Sequence, residues 1–210
     1  MNAIIFDLDG TLWDTSDIVV DIWNSVLKEK CPKLEMTKEI MASLMGKNKA
    51  GFIDDFFVGV EKAQAENLIA EIFSLEQKYL REHGANMYDG VIDALNVLKE
   101  KYKLAIVSNC QSGYLDAFLT HYDLKKVLTD YECAGSSPLS KGENIKLVIK
   151  RNGFEKVIFV GDTKSDENAA READIPFIYA NYGFGKVDEY DGVINSFKEI
   201  KLVAKELLEK

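Results

Sequence analysis

The sequence has 210 residues, of which 47% are hydrophobic and 29% are charged, and its formal net charge is −9. This composition is ordinary for a folded globular protein and argues against an intrinsically disordered chain. The acidic balance also argues against nonspecific binding to nucleic acid or to anionic membranes, so a metal, a few lysines or helix N-termini would have to hold an anionic ligand.

The cysteine and histidine content limits the kinds of site that the chain can form. Cys31, Cys110 and Cys133 have no C-x-x-C spacing and are odd in number, so we expect reduced thiols in a cytoplasmic protein. With only His83 and His121, a zinc site built on histidine is not expected. We also expect no signal peptide and no transmembrane helix, because the chain shows neither a signal-peptide pattern nor a run of about 18 apolar residues.

The first half of the chain divides into a strand and a long helical segment. The apolar run at 3–8 predicts a buried strand. Between 16 and 84 the apolar residues recur at helical spacing, as in Ile18, Ile22 and Val26, and no stretch is typical of a strand. We therefore predict an inserted helical domain at 16–84, joined by short linkers near Thr15 and at 84–89.

The second half alternates between short apolar runs and helical patterns. We predict strands at 103–108, 157–161 and 176–180, and a further strand at 127–133, where the apolar run is less continuous. Strands that alternate with helices indicate βαβ units and a doubly wound parallel sheet. The predicted fold is thus an α/β core domain at 1–15 and 85–210 with the helical domain inserted into it.

Acidic residues come directly after the first predicted strand. Asp7 and Asp9 are two residues apart, so on a strand their side chains would share a face at its carboxyl end. Ligands of open α/β sheets bind at that end. Asp9 with Gly10 could instead be no more than a turn.

Polar residues also stand at other strand ends. Ser108 and Asn109 end one predicted strand, Asp162 ends another and Asp166 follows it, and Lys141 stands next to the start of a predicted helix. A helix cap explains Ser108 alone, and a solvated side chain explains Lys141 alone. Together with the first-strand acids, these residues predict one shared site at the edge of the sheet.

These residues form a pattern that resembles the four motifs of the haloacid dehalogenase (HAD) superfamily. The motifs, in order, are Asp7-x-Asp9-x-Thr11, Ser108, Lys141 and Gly161-Asp162-x-x-x-Asp166. The helical insertion after the first motif resembles the α-helical cap of the phosphoglycolate phosphatase and β-phosphoglucomutase branch, with a Rossmann-like core. The resemblance covers essentially the whole chain and is much more specific for the superfamily than for a substrate.

The resemblance implies a role for each motif residue. Asp7 would be the nucleophile that forms an aspartyl-phosphate, and Asp9 would be the general acid and then the general base. A Mg²⁺ ion would bind the Asp7 carboxylate, the Asp9 backbone carbonyl and Asp162, with Asp166 as a ligand or as support. The phosphoryl oxygens would be bound by Ser108 and Lys141, with help from Thr11, Asn109 and the amide of Leu8.

The segments around the helical insertion suggest where a substrate could be selected. Trp13 is expected near the entrance of the site, and Lys47 and Lys49 are candidates for contacting a second anionic group of the substrate. Alternatively, Trp13 is a packing residue and the two lysines are solvated. The β-phosphoglucomutase-like members carry a histidine shortly after the Asp-Thr pair, and this chain has none there, which favours hydrolysis over mutase activity.

The predicted function is therefore a Mg²⁺-dependent phosphatase that hydrolyses a small phosphorylated metabolite as a cytoplasmic monomer. The alternatives are a phosphosugar mutase and a non-catalytic phospho-acceptor or regulatory protein. Response-regulator receivers use similar residues but take the phosphate on a mid-chain aspartate and lack a helical insertion of this size. No motif supports ATP or NAD as a cofactor, and the glycine-rich loop at 181–185 receives no function.

Overall fold

A computed structural model describes residues 1–209, which form a central parallel sheet flanked by helices and a separate group of helices. The six-stranded sheet has the order β5-β4-β1-β6-β7-β8, and every pairing in it is parallel. Its strands are β1 (Ala3–Phe6), β4 (Lys103–Ser108), β5 (Asp130–Cys133), β6 (Val157–Gly161), β7 (Phe177–Ala180) and β8 (Gly192–Ile194). Two short strands, β2 (Trp13–Asp14) and β3 (Asn86–Met87), pair with each other in antiparallel fashion.

Helices cover both faces of the sheet. They are α5 (Val91–Leu98), α6 (Tyr114–His121), α7 (Lys141–Asn152), α8 (Lys164–Ala173) and α9 (Ile200–Leu208). Alternate residues of β1 point to opposite faces: Ile4 and Phe6 join the core under α5, α6 and α9, whereas Ala3 and Ile5 join the core under α7 and α8. This arrangement confirms the predicted doubly wound α/β fold.

Four helices make up the segment between β2 and β3. They are α1 (Ser16–Lys30), α2 (Lys38–Leu44), α3 (Lys49–Phe56) and α4 (Lys62–His83). They enclose their own hydrophobic cluster, in which the Trp23 ring lies 5.2 Å from the ring of Phe56 and 5.6 Å from that of Phe52. This separate cluster supports the predicted helical domain at 16–84, hereafter the cap, although its boundaries stay a prediction.

Two contacts connect the cap with the rest of the chain, hereafter the core. The β2–β3 pair joins the segments that lead into and out of the cap, with Trp13 opposite Met87. In addition, α4 packs along α6 of the core, where the Gln77 side chain donates a hydrogen bond to the Ser112 carbonyl oxygen at 2.6 Å. The cap therefore lies over the carboxyl ends of the core strands.

Several strand boundaries differ from the prediction. The first strand ends at Phe6, because the chain turns after Leu8, whose carbonyl accepts a hydrogen bond from the Leu12 amide at 2.8 Å. Asp7 and Asp9 therefore lie in the loop after β1 and not on the strand, although the Asp7 amide still pairs with the Val160 carbonyl. The strand expected at 127–133 begins only at Asp130, and β2, β3 and β8 were not predicted, because such short strands carry little periodicity.

Among residues 1–209, no helix combines the length and the apolar character that a membrane span requires.

Candidate active site

Three neighbouring strands bring most of the predicted residues together. Asp7 follows β1, Ser108 ends β4 and Asp162 follows β6, and in the sheet β1 lies between β4 and β6. Because these strands are parallel, their carboxyl ends meet at one edge. The fold thus brings these residues close enough to form the single site that the sequence predicts.

Lys141 lies at the centre of this group. Its Nζ lies 2.5 Å from Asp7 Oδ1 and 2.5 Å from Asp166 Oδ1, and the side chain is buried. Burial acts to lower the pKa of Lys141, but the negative charges of Asp166 and Asp7 outweigh it and raise the pKa above its ordinary value. A lysine in the first turn opposes the helix dipole of α7, so its position is explained by the carboxylates and not by helix stability.

Asp166 positions the turn that carries Asp162. Thr163 and Asp166 form a capping box at the start of α8, in which Asp166 Oδ2 accepts hydrogen bonds from the Thr163 amide at 2.9 Å and the Thr163 hydroxyl at 2.6 Å. The Asp162 amide also donates to this oxygen at 3.2 Å. With Lys141 on its other oxygen, Asp166 is held firmly and supports both Asp162 and Lys141.

The Asp162 carboxylate is enclosed by two glycines and two donors. The Thr11 hydroxyl donates to Oδ1 at 3.2 Å and the Phe184 amide donates to Oδ2 at 2.8 Å. A Cβ atom on Gly10, whose φ is +83°, would lie 2.2 Å from Asp162 Oδ2, and one on Gly183 would lie 2.4 Å from the same atom. Only glycine permits this close backbone approach.

The loop at 181–185, to which the sequence analysis gave no function, therefore forms one wall of the site. Its glycine-rich composition was the available signal. Without the fold, that composition is typical of any turn. Thr11, expected to bind phosphate, is fully buried and directs its hydroxyl to Asp162.

Three donors converge on one oxygen of Asp9. Its Oδ1 accepts hydrogen bonds from Trp13 Nε1 at 2.8 Å, the Tyr114 hydroxyl at 2.8 Å and the Thr15 hydroxyl at 3.2 Å. Burial raises the pKa of Asp9 to about 6, although these hydrogen bonds act in the opposite direction. Neither Tyr114 nor Thr15 was predicted; Tyr114 lies more than a hundred residues away in sequence, so only the fold brings it to Asp9.

Trp13 does not occupy the entrance position that the sequence analysis expected. Its side chain is fully buried, and its ring packs against Phe118 with centroids 4.9 Å apart. It does not line the cavity described below. The packing alternative therefore describes this residue. It contacts the site through its hydrogen bond to Asp9 and through its ring, which packs edge to face against Tyr114 with centroids 5.6 Å apart.

The acidic cluster has the properties of a metal site. Asp7, Asp162 and Asp166 are buried, and each offers a carboxylate oxygen within 4.8 Å of the others. Burial raises the pKa of Asp7 to about 7 against the opposing charge of Lys141, and burial with the charge of Asp166 raises the pKa of Asp162 well above its ordinary value. A divalent cation would stabilise these carboxylates, and oxygen ligands are those that Mg²⁺ prefers.

A cavity of about 540 Å³ lies between core and cap above these residues. Asp7, Asp9, Ser108 and Asn109 line it from the core, and Lys47 and Lys49 line it from the cap. Lys47 forms an ion pair with Asp55, whereas Lys49 is exposed. Leu8 is fully buried beneath the site, so only its backbone could contribute to phosphate binding.

The loop after β4 connects the core with the cap. Ser108 is buried at the cavity wall, and its hydroxyl accepts a hydrogen bond from the Cys110 amide at 3.3 Å. The Asn109 side-chain amide donates to the Gly46 carbonyl at 2.6 Å and to the Ser165 hydroxyl at 3.3 Å. Asn109 was expected to bind phosphate, but in this structure its amide holds the cap loop against the core.

A buried acid of the cap also lines the cavity. Glu76 is only 3% exposed, and its two oxygens accept hydrogen bonds from Trp23 Nε1 at 2.7 Å and from Gln111 Nε2 at 2.9 Å. Burial raises the pKa of Glu76 to about 8, and the negative charge of Asp9 acts in the same direction. The sequence analysis missed this residue. It could have been recognised from its position three residues after Phe73, because an acid there lies within the apolar stripe of α4.

Comparisons with known proteins agree with this geometry. The model of the family described as haloacid dehalogenase-like hydrolase matches residues 4–180. A pyrophosphatase PpaX of Listeria welshimeri is 27% identical over 181 residues, which cover 83% of this chain and 80% of that protein. A phosphoglycolate phosphatase of Haemophilus influenzae is 26% identical over 192 residues, which cover 85% of each chain.

The fold has counterparts among solved structures. A haloacid dehalogenase-like hydrolase of Streptococcus pneumoniae superimposes with a TM-score of 0.78 at 24% identity, covering 95% of this chain and 96% of that chain. At this identity the likeness shows that the two proteins share a fold.

Proposed function

The chain belongs to the haloacid dehalogenase-like hydrolase family, and from this membership we propose that it is a Mg²⁺-dependent phosphatase that hydrolyses a small phosphate monoester through an aspartyl-phosphate. The observation that carries the proposal is the buried pair of Asp7 and Lys141, 2.5 Å apart beneath a cavity large enough for an ester. The names of the curated relatives, a pyrophosphatase and a phosphoglycolate phosphatase, support phosphate chemistry of this kind.

Asp7 is the proposed nucleophile. One of its carboxylate oxygens attacks phosphorus, the bond between phosphorus and the ester oxygen breaks, and the phosphoryl group is carried on Asp7 as an acyl phosphate. Lys141 holds Asp7 Oδ1 and reduces the repulsion between the carboxylate and the incoming phosphate. Ser108, at the end of the neighbouring strand, supplies a hydroxyl for a phosphoryl oxygen.

Asp9 is the proposed acid and base. In the first step it gives a proton to the leaving alcohol oxygen, and in the second step it accepts a proton from the water that attacks the acyl phosphate, which releases inorganic phosphate and restores Asp7. Its pKa of about 6 is close to neutrality, as both transfers require. The three donors on its Oδ1 fix the orientation of the carboxyl group.

The Asp7 carboxylate, the Asp9 backbone carbonyl and the Asp162 carboxylate are the proposed ligands for Mg²⁺. When bound, the ion would offset the negative charge that phosphate and carboxylates bring together. We assign Asp166 a supporting role because its Oδ1 pairs with the Lys141 ammonium and its Oδ2 accepts three hydrogen bonds from the turn at 162–163. Each oxygen of Asp162 accepts only one hydrogen bond, so it keeps a lone pair for the ion.

The other functions considered from the sequence have weaker support. A phosphosugar mutase of the β-phosphoglucomutase type would be expected to carry a histidine shortly after Asp14 and Thr15, and residues 16–20 contain none. A non-catalytic regulatory protein would not need the complete set of catalytic side chains. A monomeric state and a cytoplasmic location stay predictions.

The proposed function is tested with p-nitrophenyl phosphate. We expect turnover that depends on added Mg²⁺, is abolished by EDTA and is lost in Asp7→Asn, while Asp93→Asn, an exposed aspartate on α5, retains wild-type activity. Robust turnover by Asp7→Asn would rule out the covalent route, and full activity in EDTA would rule out the metal requirement.

A further inference from the structure

One wall of the cavity on the cap side is apolar. The side chains that line it from this side include Val19, Met41, Met45, Phe52 and Phe73. The rings of Phe52 and Phe73 meet edge to face with centroids 6.1 Å apart, and Phe52 also packs against Trp23. Binding of an apolar or aromatic group against such a wall is favourable, because apolar surface is removed from water, whereas a small charged group obtains no such stabilisation there.

The positive charges at the cavity are poorly placed to bind a second anion. Lys47 is compensated by its ion pair with Asp55, and both partners are exposed. Lys49 is also exposed, so water and salt screen its charge. These were the two residues that the sequence analysis suggested for a second anionic group.

The buried titratable group on the cap side of the cavity is an acid. Glu76 lines the same cavity as Asp9 and is almost completely buried. The pKa of its carboxyl is raised from 4.5 to about 8 by burial and by Asp9, which means that this wall disfavours a negative charge. A substrate carboxylate or second phosphate placed against it would meet the same penalty.

The volume of the cavity also exceeds what the smallest phosphate esters need. Cavities of about 300–1,000 Å³ typically hold ligands of drug size, and this cavity measures about 540 Å³. The polar side chains of Ser74 and Gln111 line it beside the apolar wall, so a ring with polar edges could find hydrogen-bond partners there.

We propose that the physiological substrate is a phosphate monoester of an uncharged alcohol that carries an aromatic ring, of the size of a nucleoside, and that the ring packs on the Phe52 side of the cap. This inference rests on the proposed phosphatase function and assigns its substrate class. It separates this chain from the relatives whose names specify phosphoglycolate and pyrophosphate, both of which carry a second negative charge.

Three esters with alkyl leaving groups test the proposal: uridine 5′-monophosphate, ribose 5-phosphate and phosphoglycolate. The first two share the sugar phosphate and differ in the aromatic base, whereas the third carries a carboxylate. We expect kcat/KM for uridine 5′-monophosphate to exceed that for ribose 5-phosphate by about tenfold or more, because a ring buried on an apolar wall contributes discrimination of this order. Phosphoglycolate should be the poorest of the three.

Two variants test which residues are responsible. Phe52→Ala should lower the ratio of kcat/KM between uridine 5′-monophosphate and ribose 5-phosphate to about one third or less, because the ring loses its packing partner. Val58→Ala, which changes an exposed residue of the cap, should leave that ratio unchanged. Lys49→Ala should change kcat/KM for all three esters by the same factor.

The possible results distinguish this inference from the proposed function. If p-nitrophenyl phosphate is hydrolysed but phosphoglycolate is preferred over uridine 5′-monophosphate, the inference is wrong and the phosphatase function stands. The same conclusion follows if Lys49→Ala selectively impairs phosphoglycolate, or if Phe52→Ala leaves the ratio unchanged. If no ester is hydrolysed, the proposed function fails and the inference fails with it.

Discussion

Glu76→Gln should make the stability of the protein less dependent on pH. A carboxyl group whose pKa is higher in the folded protein than in the unfolded chain binds more protons when folded. Its contribution to stability is therefore fully present below the unfolded pKa and is lost as the pH rises through the folded pKa. For Glu76 these values are 4.5 and about 8, and the glutamine side chain removes the titration while keeping the size of the group.

The size of the effect follows from the pKa difference and the burial of the side chain. At about 1.4 kcal/mol per pKa unit, a rise from 4.5 to about 8 corresponds to a ceiling of about 5 kcal/mol. Relaxation and water entry around an ionised buried group reduce this value, and we expect roughly 2 kcal/mol. In the variant, Trp23 Nε1 can donate to the side-chain oxygen of the new glutamine. If the Gln111 side chain flips, its oxygen can accept a hydrogen bond from the NH2 group of that glutamine.

The assay is urea unfolding of the wild type and the variant at about pH 5.5 and about pH 8.5 in EDTA, followed by circular dichroism and tryptophan fluorescence. Asp7, Asp9 and Asp162 also titrate, but they do so in both proteins, so the difference between the proteins reports Glu76 together with its electrostatic interaction with Asp9. Glu66→Gln, an exposed glutamate on the same helix, is the matched control and should follow the wild type. If the free energies of unfolding of wild type and Glu76→Gln change in parallel with pH, Glu76 has an ordinary pKa and the reasoning is refuted.

Three further substitutions test the hydrogen bonds and close contacts of the site. Tyr114→Phe removes one of the three donors on Asp9 and should lower kcat about fivefold with little change in KM, since a net hydrogen bond contributes about 1 kcal/mol. An unchanged kcat would show that the other two donors suffice. Gly183→Ala places a methyl group against the Asp162 carboxylate and should weaken the apparent affinity for Mg²⁺, measured by titrating activity with the ion. An affinity equal to that of the wild type would contradict the tight contact between residue 183 and Asp162. Asn109→Ala frees the cap loop from the core and should raise KM several-fold with a smaller effect on kcat, whereas a selective loss of kcat would point instead to phosphate binding by Asn109.

The sequence carried the strongest information where a residue and its structural context are close together in the chain. Asp7 and Asp162 each follow a buried apolar run, and parallel strands place their carboxyl ends at one edge of the sheet, so the sequence alone predicts that these two aspartates meet. The position of Asp166, four residues after Asp162, is likewise a local consequence of the first turn of α8. The helical character of the cap followed from periodicity alone.

The tertiary structure decided which side chains complete the site. Tyr114 and Asp9 are 105 residues apart, and Glu76 and Gln111 are 35 apart, so both pairs form only where the fold packs distant segments against each other. The same holds for the Phe184 amide on Asp162. Local patterns determine which strands and helices form and which acids end the strands, whereas the directions of side chains in loops and across the cap depend on contacts between distant segments, which no local spacing encodes.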